Sequence, residues 1–384
     1  MKRKLLAFFA LMQLTNLLAA AEQEPTVKRA EFCRELAGKV SDQIPVQPEA
    51  LSNCVERIRS FVLSDRTSFI FNISANLEGG QLVLTGISER PEFSDITRCV
   101  FEQLGFISVV DRVEILPELK KDPAPFAVVV KPYVMTWSRP DLKGTPMDEV
   151  LMAEPVYIFK ELPDVYLIKN FSGYWGYAAK ENFRRVSKKE FIQLINAPKV
   201  LLLADCKTKD VFIPAGCRLP IKKWGRSRSC VLLDTSGGEL EIPKAICERN
   251  EREKDMARVL AEARSLLARP YNMGGRNSVT GIDCSGLVQT AYRTIGVSLA
   301  RDAKQQYLNG NLILPCVAEA LQPGDAIFFM NPAGQVGHTG LYLGDGEMIH
   351  AQGDQVKIQS MNPAAKNYYQ RFARDFIGAK RYWW

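Results

Sequence analysis

One cysteine and two histidines near the end of the chain could form a cysteine nucleophile with its base. The chain of 384 residues contains only two histidines, His338 and His350, and both follow Cys284. An imidazole close to a thiol can take the thiol proton and return it to a leaving group. A buried cysteine on its own is more often a packing residue. The two histidines therefore favour the catalytic interpretation of Cys284.

The residues after Cys284 have the spacing of a helix. The positions 284, 287, 288, 291 and 295 are apolar and recur at intervals of three and four residues. This pattern places Cys284 on the buried side, at the N-terminal end of the helix. There, the helix dipole and free N–H groups are expected to stabilise a thiolate and to hold an oxyanion.

The two histidines flank a hairpin signal at Gly344-Asp345-Gly346. A three-residue loop would pair residues whose numbers sum to 690, which puts His338 and His350 on the same face. A two-residue turn at 345–346 would give an odd sum and opposite faces. The catalytic interpretation therefore predicts the even sum, with His338 as base and acid and His350 orienting its ring.

Three short motifs carry a family resemblance. Asp-Cys-Ser-Gly at 283–286, Gly-His-Thr-Gly at 337–340 and Ile-His-Ala at 349–351 resemble the NlpC family of cell-wall cysteine peptidases, from about residue 251 onward. The resemblance implies a papain-like fold and a Cys284–His338–His350 triad, with no metal and no other cofactor. It also implies cleavage of peptidoglycan stem peptides, typically between γ-D-glutamate and a diamino acid.

The resemblance also implies substrate-binding residues. Members with two SH3-like domains before the peptidase domain cut peptides with a free N-terminal L-alanine, and Asp302 matches the acid that meets this amine. The other positions implied to line the pocket are Asp283, Ser285, Tyr271, Tyr177 and Glu149. The chain departs from the family near Met273, where a tryptophan is common. Arg301 could pair with a substrate carboxylate, but we expect it at the surface.

The remaining patterns predict an α+β multidomain protein. Residues 22–119 alternate helix and strand signals and resemble a small α/β domain of the BON type. Short strands separated by Pro, Gly and Asp turns predict two small SH3-like β-barrels, at 120–196 and 197–249. The papain-like catalytic domain would occupy residues 250–384.

Residues 1–21 are typical of a secretory signal peptide. Three basic residues precede an apolar run too short to span a membrane, and Ala19-Ala20-Ala21 follows. We expect cleavage near Ala21, export to the periplasm or cell envelope, and no stable membrane insertion afterwards. Removal of this segment lowers the net charge from +7 to +4. Such a mild charge does not predict a nucleic-acid partner, and the sequence makes no prediction of oligomeric state.

The cysteine count fits an exported protein. There are nine cysteines, at positions 33, 54, 99, 206, 217, 230, 247, 284 and 316. An odd number leaves at least one thiol free, and the chemistry nominates Cys284. The other eight allow 105 pairings, and the cluster from 206 to 247 favours local bridges. Two histidines and no CxxC pair argue against a zinc site.

Two other functions stay open. The chain could be a non-catalytic cell-wall binding or scaffold protein, although a scaffold does not need a complete Cys284–His338–His350 set. It could also be an N-acetylmuramoyl-L-alanine amidase. Asp302 separates that activity from the endopeptidase, because an acid that pairs with a free amine does not suit a glycan-linked amide.

Overall fold

The structure is a computed structural model that describes residues 26–63, 65, 67–117, 122, 124–208, 211–233, 238–249, 255–314 and 318–383. The chain divides into two compact units, one ending at Leu116 and one beginning at Pro117. The predicted signal peptide at 1–21 and Cys316 lie outside the described residues. Within those residues, no helix combines the length and apolar character that crossing a membrane requires.

The described residues of the N-terminal unit form three helices and a small sheet. Its elements are α1 (Thr26–Val40), α2 (Pro48–Val62), β1 (Phe71–Glu78), β2 (Gln81–Ser88), α3 (Pro91–Gln103), β3 (Val109–Asp111) and β4 (Glu114–Ile115). Strands β1 and β2 form an antiparallel hairpin, and β3 and β4 both pair in parallel with β2. The helices cover one face of this sheet around Leu51, Leu84 and Phe101. Helices and strands thus alternate along this unit, as the signals in the sequence predict.

The second unit begins with a seven-stranded sheet. It contains β5 (Phe126–Val129), β6 (Tyr133–Trp137), β7 (Pro146–Leu151), β8 (Pro155–Glu161), β9 (Val165–Asn170), β10 (Trp175–Ala179) and β11 (Phe183–Arg185), in the order β11-β5-β8-β9-β10-β6-β7. The predicted SH3-like barrel is not confirmed, since the described strands β7 and β11 do not pair. The free edge of β7 instead meets a later loop, where the Glu149 N–H donates to the Gly274 carbonyl at 3.0 Å.

A helix and a second sheet follow. Helix α4 (Lys188–Asn196) is capped at its N-terminus by Ser187, whose side chain accepts from the Glu190 N–H. The later strands are β12 (Lys199–Leu202), β13 (Cys206–Lys207), β14 (Phe212–Ile213), β15 (Arg218–Lys223), β16 (Ser229–Leu233), β17 (Glu239–Pro243) and β18 (Cys247–Glu248). Five of them form the sheet β17-β16-β15-β12-β18, while β13 and β14 pair separately.

The second predicted barrel is likewise not confirmed. Within the described residues, the edge strands β17 and β18 do not pair with each other, and the two-residue β18 pairs with β12. The cysteines described in this region are free thiols, and the Sγ atoms of Cys230 and Cys247 lie 3.9 Å apart.

The C-terminal part packs helices onto a six-stranded antiparallel sheet. Its helices are α5 (Met256–Ser265), α6 (Cys284–Arg293), α7 (Ala303–Tyr307) and α8 (Arg371–Asp375). The short strands β19 (Arg276–Asn277) and β20 (Gly281–Ile282) precede α6. The sheet has the order β21-β26-β22-β23-β24-β25 and contains β21 (Asn311–Leu312), β22 (Ala326–Met330), β23 (Val336–Gly344), β24 (Glu347–Gln352), β25 (Gln355–Ser360) and β26 (Phe376–Arg381).

Helix α6 is almost entirely buried. Its apolar side chains, such as Leu287 and Val288, pack with Phe328 of β22 and Leu341 of β23 in one core. This core fixes the helix that begins at Cys284 against the strand that carries His338, which is the arrangement predicted for a papain-like domain.

Candidate active site

Cys284 is the first residue of α6 and is largely buried. Asp283 caps the helix, since its Oδ1 atom accepts from the Gly286 N–H at 2.7 Å. The start of the helix lies so close to the preceding loop that a Cβ atom at Gly286 would stand 2.5 Å from the Gly275 carbonyl oxygen. The glycine at 286 therefore allows the helix to begin here.

The histidine hairpin has the predicted register but not the predicted turn. Leu341 lies opposite Ile349 and Tyr342 opposite Met348, so the paired numbers sum to 690 as expected. The turn itself has two residues, Asp345 and Gly346, both with positive φ (51° and 72°). A bulge between Tyr342 and Gly344 restores the even register. A bulge, rather than a longer loop, thus keeps both rings on one face.

The two imidazoles form a hydrogen-bonded chain that ends at Gln359. His338 Nε2 lies 2.8 Å from His350 Nδ1, and His350 Nε2 lies 2.9 Å from Gln359 Oε1. A carboxamide oxygen only accepts, so this orientation assigns the proton to His350 Nε2. His350 Nδ1 then accepts from the N–H at His338 Nε2. As a result, Nδ1 of His338 is left as the basic nitrogen of its ring.

Backbone contacts place the sulfur beside the histidine strand. The N–H groups of Thr339 and Ser285 hydrogen-bond the Cys284 sulfur and favour its thiolate. Burial and the Asp283 charge act in the opposite direction and are stronger, so the Cys284 pKa rises to about 12. The expected stabilised thiolate is therefore wrong for the free protein, because the capping carboxylate and burial oppose the helix dipole.

Burial also keeps both histidines neutral. It lowers the pKa of His338 well below its usual value, with further lowering by the charges of His350 and Arg371. It lowers the pKa of His350 to about 4, against a smaller rise caused by the hydrogen bond to Gln359. The free site thus holds a neutral thiol and neutral imidazoles at neutral pH.

Tyr369 covers the two rings. Its ring centroid lies 4.8 Å from that of His350 and 6.2 Å from that of His338, and the residue is 4% exposed. The sequence did not suggest Tyr369 or Gln359. Gln359 follows from the pairing of β24 with β25, which sets Gln359 opposite Met348 and diagonal to His350.

Asp283 is fully engaged by neighbouring groups. Besides Gly286, its carboxylate accepts from the Gly274 N–H at 2.8 Å, from two Arg301 nitrogens at 2.6 and 2.9 Å, and from Ser285 Oγ at 3.3 Å. Ser285 is also buried and accepts from Arg301 at 2.9 Å. These contacts assign both residues to holding the start of α6.

Arg301 links α6 to the first sheet of this unit. The expected surface position is wrong, because Arg301 is 2% exposed. Its Nε donates to Asp148 of β7 at 2.6 Å, and Asp148 also accepts from Asn170 and Ser172. The guanidinium thus bridges two buried carboxylates, Asp148 and Asp283, which tie the sheet to the helix of Cys284.

Glu149 also contacts the loop that precedes Cys284. Its two carboxylate oxygens accept from the Arg276 N–H at 2.8 Å and from Thr280 Oγ1 at 3.0 Å, and burial raises its pKa. Glu149 therefore holds the loop before Cys284. Tyr177 is buried in β10, opposite Leu167 of β9 and Trp137 of β6.

Asp302 and Tyr271 are the predicted pocket residues that stay half-buried. Asp302 caps α7, and its Oδ2 accepts from the hydroxyl of Tyr174 at 3.0 Å, a partner the sequence did not suggest. Burial raises the pKa of Tyr271, and the charges of Cys284 and Asp283 raise it further. Met273, where the family often has tryptophan, is 54% exposed.

Comparison with known proteins identifies the C-terminal part. Residues 268–375 match the model of the NlpC/P60 family. The chain is 27% identical over 273 residues to dipeptidyl-peptidase 6 of Lysinibacillus sphaericus, which covers 64% of this chain and 96% of that protein. It is 35% identical over 118 residues to the γ-D-glutamyl-L-lysine dipeptidyl-peptidase of Bacillus cereus, covering 30% of this chain and 33% of that protein. The second similarity is thus confined to a third of the relative.

A solved structure shares the fold over a larger region. An NlpC/P60 family protein from Bacillus cereus covers 67% of this chain and 99% of its own, with a TM-score of 0.58 and 21% identity. This coverage of 67% is larger than the C-terminal domain alone, so the shared fold extends beyond that domain. Among the described residues, no group of three or more His, Cys, Asp or Glu side chains could hold a metal ion.

Proposed function

We propose that the protein is a cysteine-type peptidoglycan hydrolase that cleaves the γ-D-glutamyl–diamino acid bond of stem peptides, on the basis of the match of residues 268–375 to the NlpC/P60 family model. The observation that carries the proposal is the chain from His338 through His350 to Gln359, on a strand whose Thr339 N–H hydrogen-bonds the Cys284 sulfur. It supplies a neutral thiol, a neutral base and a group that orients the base.

The proposed mechanism uses these protonation states. His338 Nδ1 takes the thiol proton as the Cys284 sulfur attacks the γ-glutamyl carbonyl. The Cys284 N–H at the start of α6 contributes to holding the oxyanion. His338 then gives the proton to the leaving amine of the diamino acid, and a thioester remains. Water, deprotonated by His338, hydrolyses this thioester and frees the dipeptide and the thiol.

Two observations support release of a dipeptide. The relative that the chain covers almost completely is named a dipeptidyl-peptidase, and the shorter match is named for the γ-D-glutamyl-L-lysine bond. The half-buried Asp302 carboxylate, held by Tyr174, could pair with the free ammonium of an N-terminal L-alanine. An N-acetylmuramoyl-L-alanine amidase would instead have to accept an uncharged amide at this position.

The domain organisation and location belong to the same proposal. The segments 22–119, 120–196 and 197–249 would precede the catalytic domain at 250–384. The enzyme would act after export, in the periplasm or cell envelope, once residues 1–21 are removed. Its partner would be a peptidoglycan stem peptide.

The first test is thiol dependence. Hydrolysis of L-Ala-γ-D-Glu-diaminopimelate is measured with the parent, with Cys284→Ala and with Cys206→Ala, a matched control at a largely buried cysteine of the separate β13–β14 pair. We expect loss of turnover in Cys284→Ala only. Equal rates in all three proteins would exclude the proposed nucleophile and favour a binding or scaffold protein.

A further inference from the structure

A cavity of about 420 Å³ lies within the second unit, which begins at Pro117. Its described lining comes from the seven-stranded sheet, from the five-stranded sheet and from the C-terminal domain, and it includes none of Cys284, His338 and His350. The cavity is therefore separate from the candidate catalytic groups.

The lining carries an excess of positive charge. It includes Lys199, Arg218, Arg276 and Arg293, whereas Glu154 is the one carboxylate among the described lining residues. Glu154 is shared, since it accepts from Arg276 at 2.7 Å and from Arg293 at 3.2 Å. One carboxylate thus faces two guanidinium groups.

Lys199 and Arg218 also donate to backbone carbonyl oxygens. Lys199 Nζ donates to the Ile195 carbonyl at 3.0 Å, and Arg218 donates to the Arg293 carbonyl at 3.3 Å. Arg276 also lies 3.4 Å from Asp148, but Asp148 is shared with Arg301. The nearby carboxylates are therefore already divided among several cations.

Two of the cations, Lys199 and Arg293, have lowered pKa values, whereas the charges of Asp148 and Glu154 outweigh burial and raise the pKa of Arg276. Burial lowers the pKa of Lys199, and the charge of Arg218 lowers it further. The pKa of Arg293 is lowered by burial and by the charges of Arg276 and Arg218, although Glu154 acts against this. An anion bound among these groups would relieve their repulsion and restore part of the lost hydration.

We propose that this cavity binds a small organic anion that carries a carboxylate or a phosphate. Guanidinium groups match both anions through paired hydrogen bonds, and Lys199 adds a compact charge. Phe171, Ile195 and Leu299 add apolar surface to the lining, which suits the organic part of such a ligand.

The test uses binding, so it does not depend on the proposed catalytic function. Thermal unfolding of the full-length protein is followed during titration with sodium phosphate or sodium succinate, with sodium chloride at equal ionic strength as reference. A ligand that binds the folded state raises the melting temperature in a saturable way. We expect saturation with at least one of the two anions and none with chloride. Phosphate alone or succinate alone would assign the anion class.

Variants locate the site. We expect Lys199→Gln to weaken the apparent affinity at least about tenfold, the loss expected for one charge-assisted hydrogen bond. Arg218→Gln provides a second variant at the other wall. Lys207→Gln removes the same charge at an exposed position of the same region, outside the lining, and should match the parent. The proposal is overturned if neither anion gives a saturable shift, or if both cavity variants bind as the parent does.

Discussion

His350 Nδ1 lies 2.8 Å from His338 Nε2, and the opposite nitrogen of His350 is held by Gln359 at 2.9 Å. Two neutral imidazoles can share one hydrogen bond only if one donates and the other accepts. Gln359 decides which, because its carboxamide oxygen requires a proton on His350 Nε2. Gln359 thereby sets which nitrogen of His338 is free of a proton and available as the proposed base.

Gln359→Leu should therefore slow turnover. A neutral hydrogen bond is worth about 1 kcal/mol, so we expect kcat to fall roughly five- to tenfold with little change in KM. Gln355→Leu on the same strand is the control, since no side-chain contact to either histidine is found for it among the described residues. Equal kcat values for the two variants would remove Gln359 from the mechanism.

The histidines should differ in importance. His338→Ala removes the proposed base, and we expect kcat to fall by about 10² to 10⁴. His350→Ala should reduce kcat less, because water can replace its nitrogen as a partner for His338. Steady-state kinetics of both variants on the same tripeptide measures the order, and a larger loss in His350→Ala would reverse the assigned roles.

The low pKa of His350 also predicts how stability depends on pH. Its pKa is about 4 in the folded state against 6.5 for an ordinary histidine. Between these values the unfolded chain binds a proton that the folded protein does not, so this contribution is present above pH 6.5 and is lost as the pH falls toward 4. The loss should be about 3 kcal/mol between pH 7 and pH 4.

Urea unfolding of the parent and of His350→Gln at both pH values isolates this effect. We expect the difference between the two proteins in free energy of unfolding to shrink by about 3 kcal/mol at the lower pH. A difference that stays constant with pH would mean that His350 titrates normally in the folded protein.

Arg301 should be essential for stability. Arg301→Met leaves the buried carboxylates of Asp148 and Asp283 without their bridging cation, which should cost about 3–5 kcal/mol in urea unfolding. Arg139→Met breaks an exposed ion pair with Asp141 and should cost less than about 1 kcal/mol. Similar losses in both variants would contradict the assigned role of Arg301.

Asp302 is expected to control the choice of substrate. Asp302→Asn should lower kcat/KM about tenfold on a peptide with a free L-alanine amine, since it removes a charge-assisted bond. The same peptide with an acetylated amine should be cleaved slowly by both proteins. Asp345→Asn, in the exposed turn between the histidine strands, is the control. An unchanged preference in Asp302→Asn would assign the amine site elsewhere.

Local spacing predicted the positions of Cys284, His338 and His350, because a helix start and a hairpin register are set by nearby residues. The even register was confirmed, although a bulge beside Gly344 produces it. Contacts distant in sequence were not predictable in this way. Arg301 is buried in a contact with Asp148, a residue 153 positions earlier. The position of Gln359 beside His350 is set by the register of a third strand, β25.

The open sheets have a similar explanation. Short strands between Pro, Gly and Asp turns predicted a small barrel for β5 to β11, but the edge of β7 hydrogen-bonds to Gly274 of the loop before Cys284. Strand signals do not show which partner an edge will meet. The same contact explains why Glu149 supports the site from a different segment of the chain.

The most direct test of the central claim is mass spectrometry of the products that the parent and Cys284→Ala release from two substrates, free L-Ala-γ-D-Glu-diaminopimelate and the same peptide linked to glycan. We predict that the parent releases L-Ala-γ-D-Glu from the free peptide and that Cys284→Ala releases nothing. A free intact peptide produced from the glycan-linked substrate would identify an amidase instead. The account is contradicted if neither substrate gives a product whose release requires Cys284.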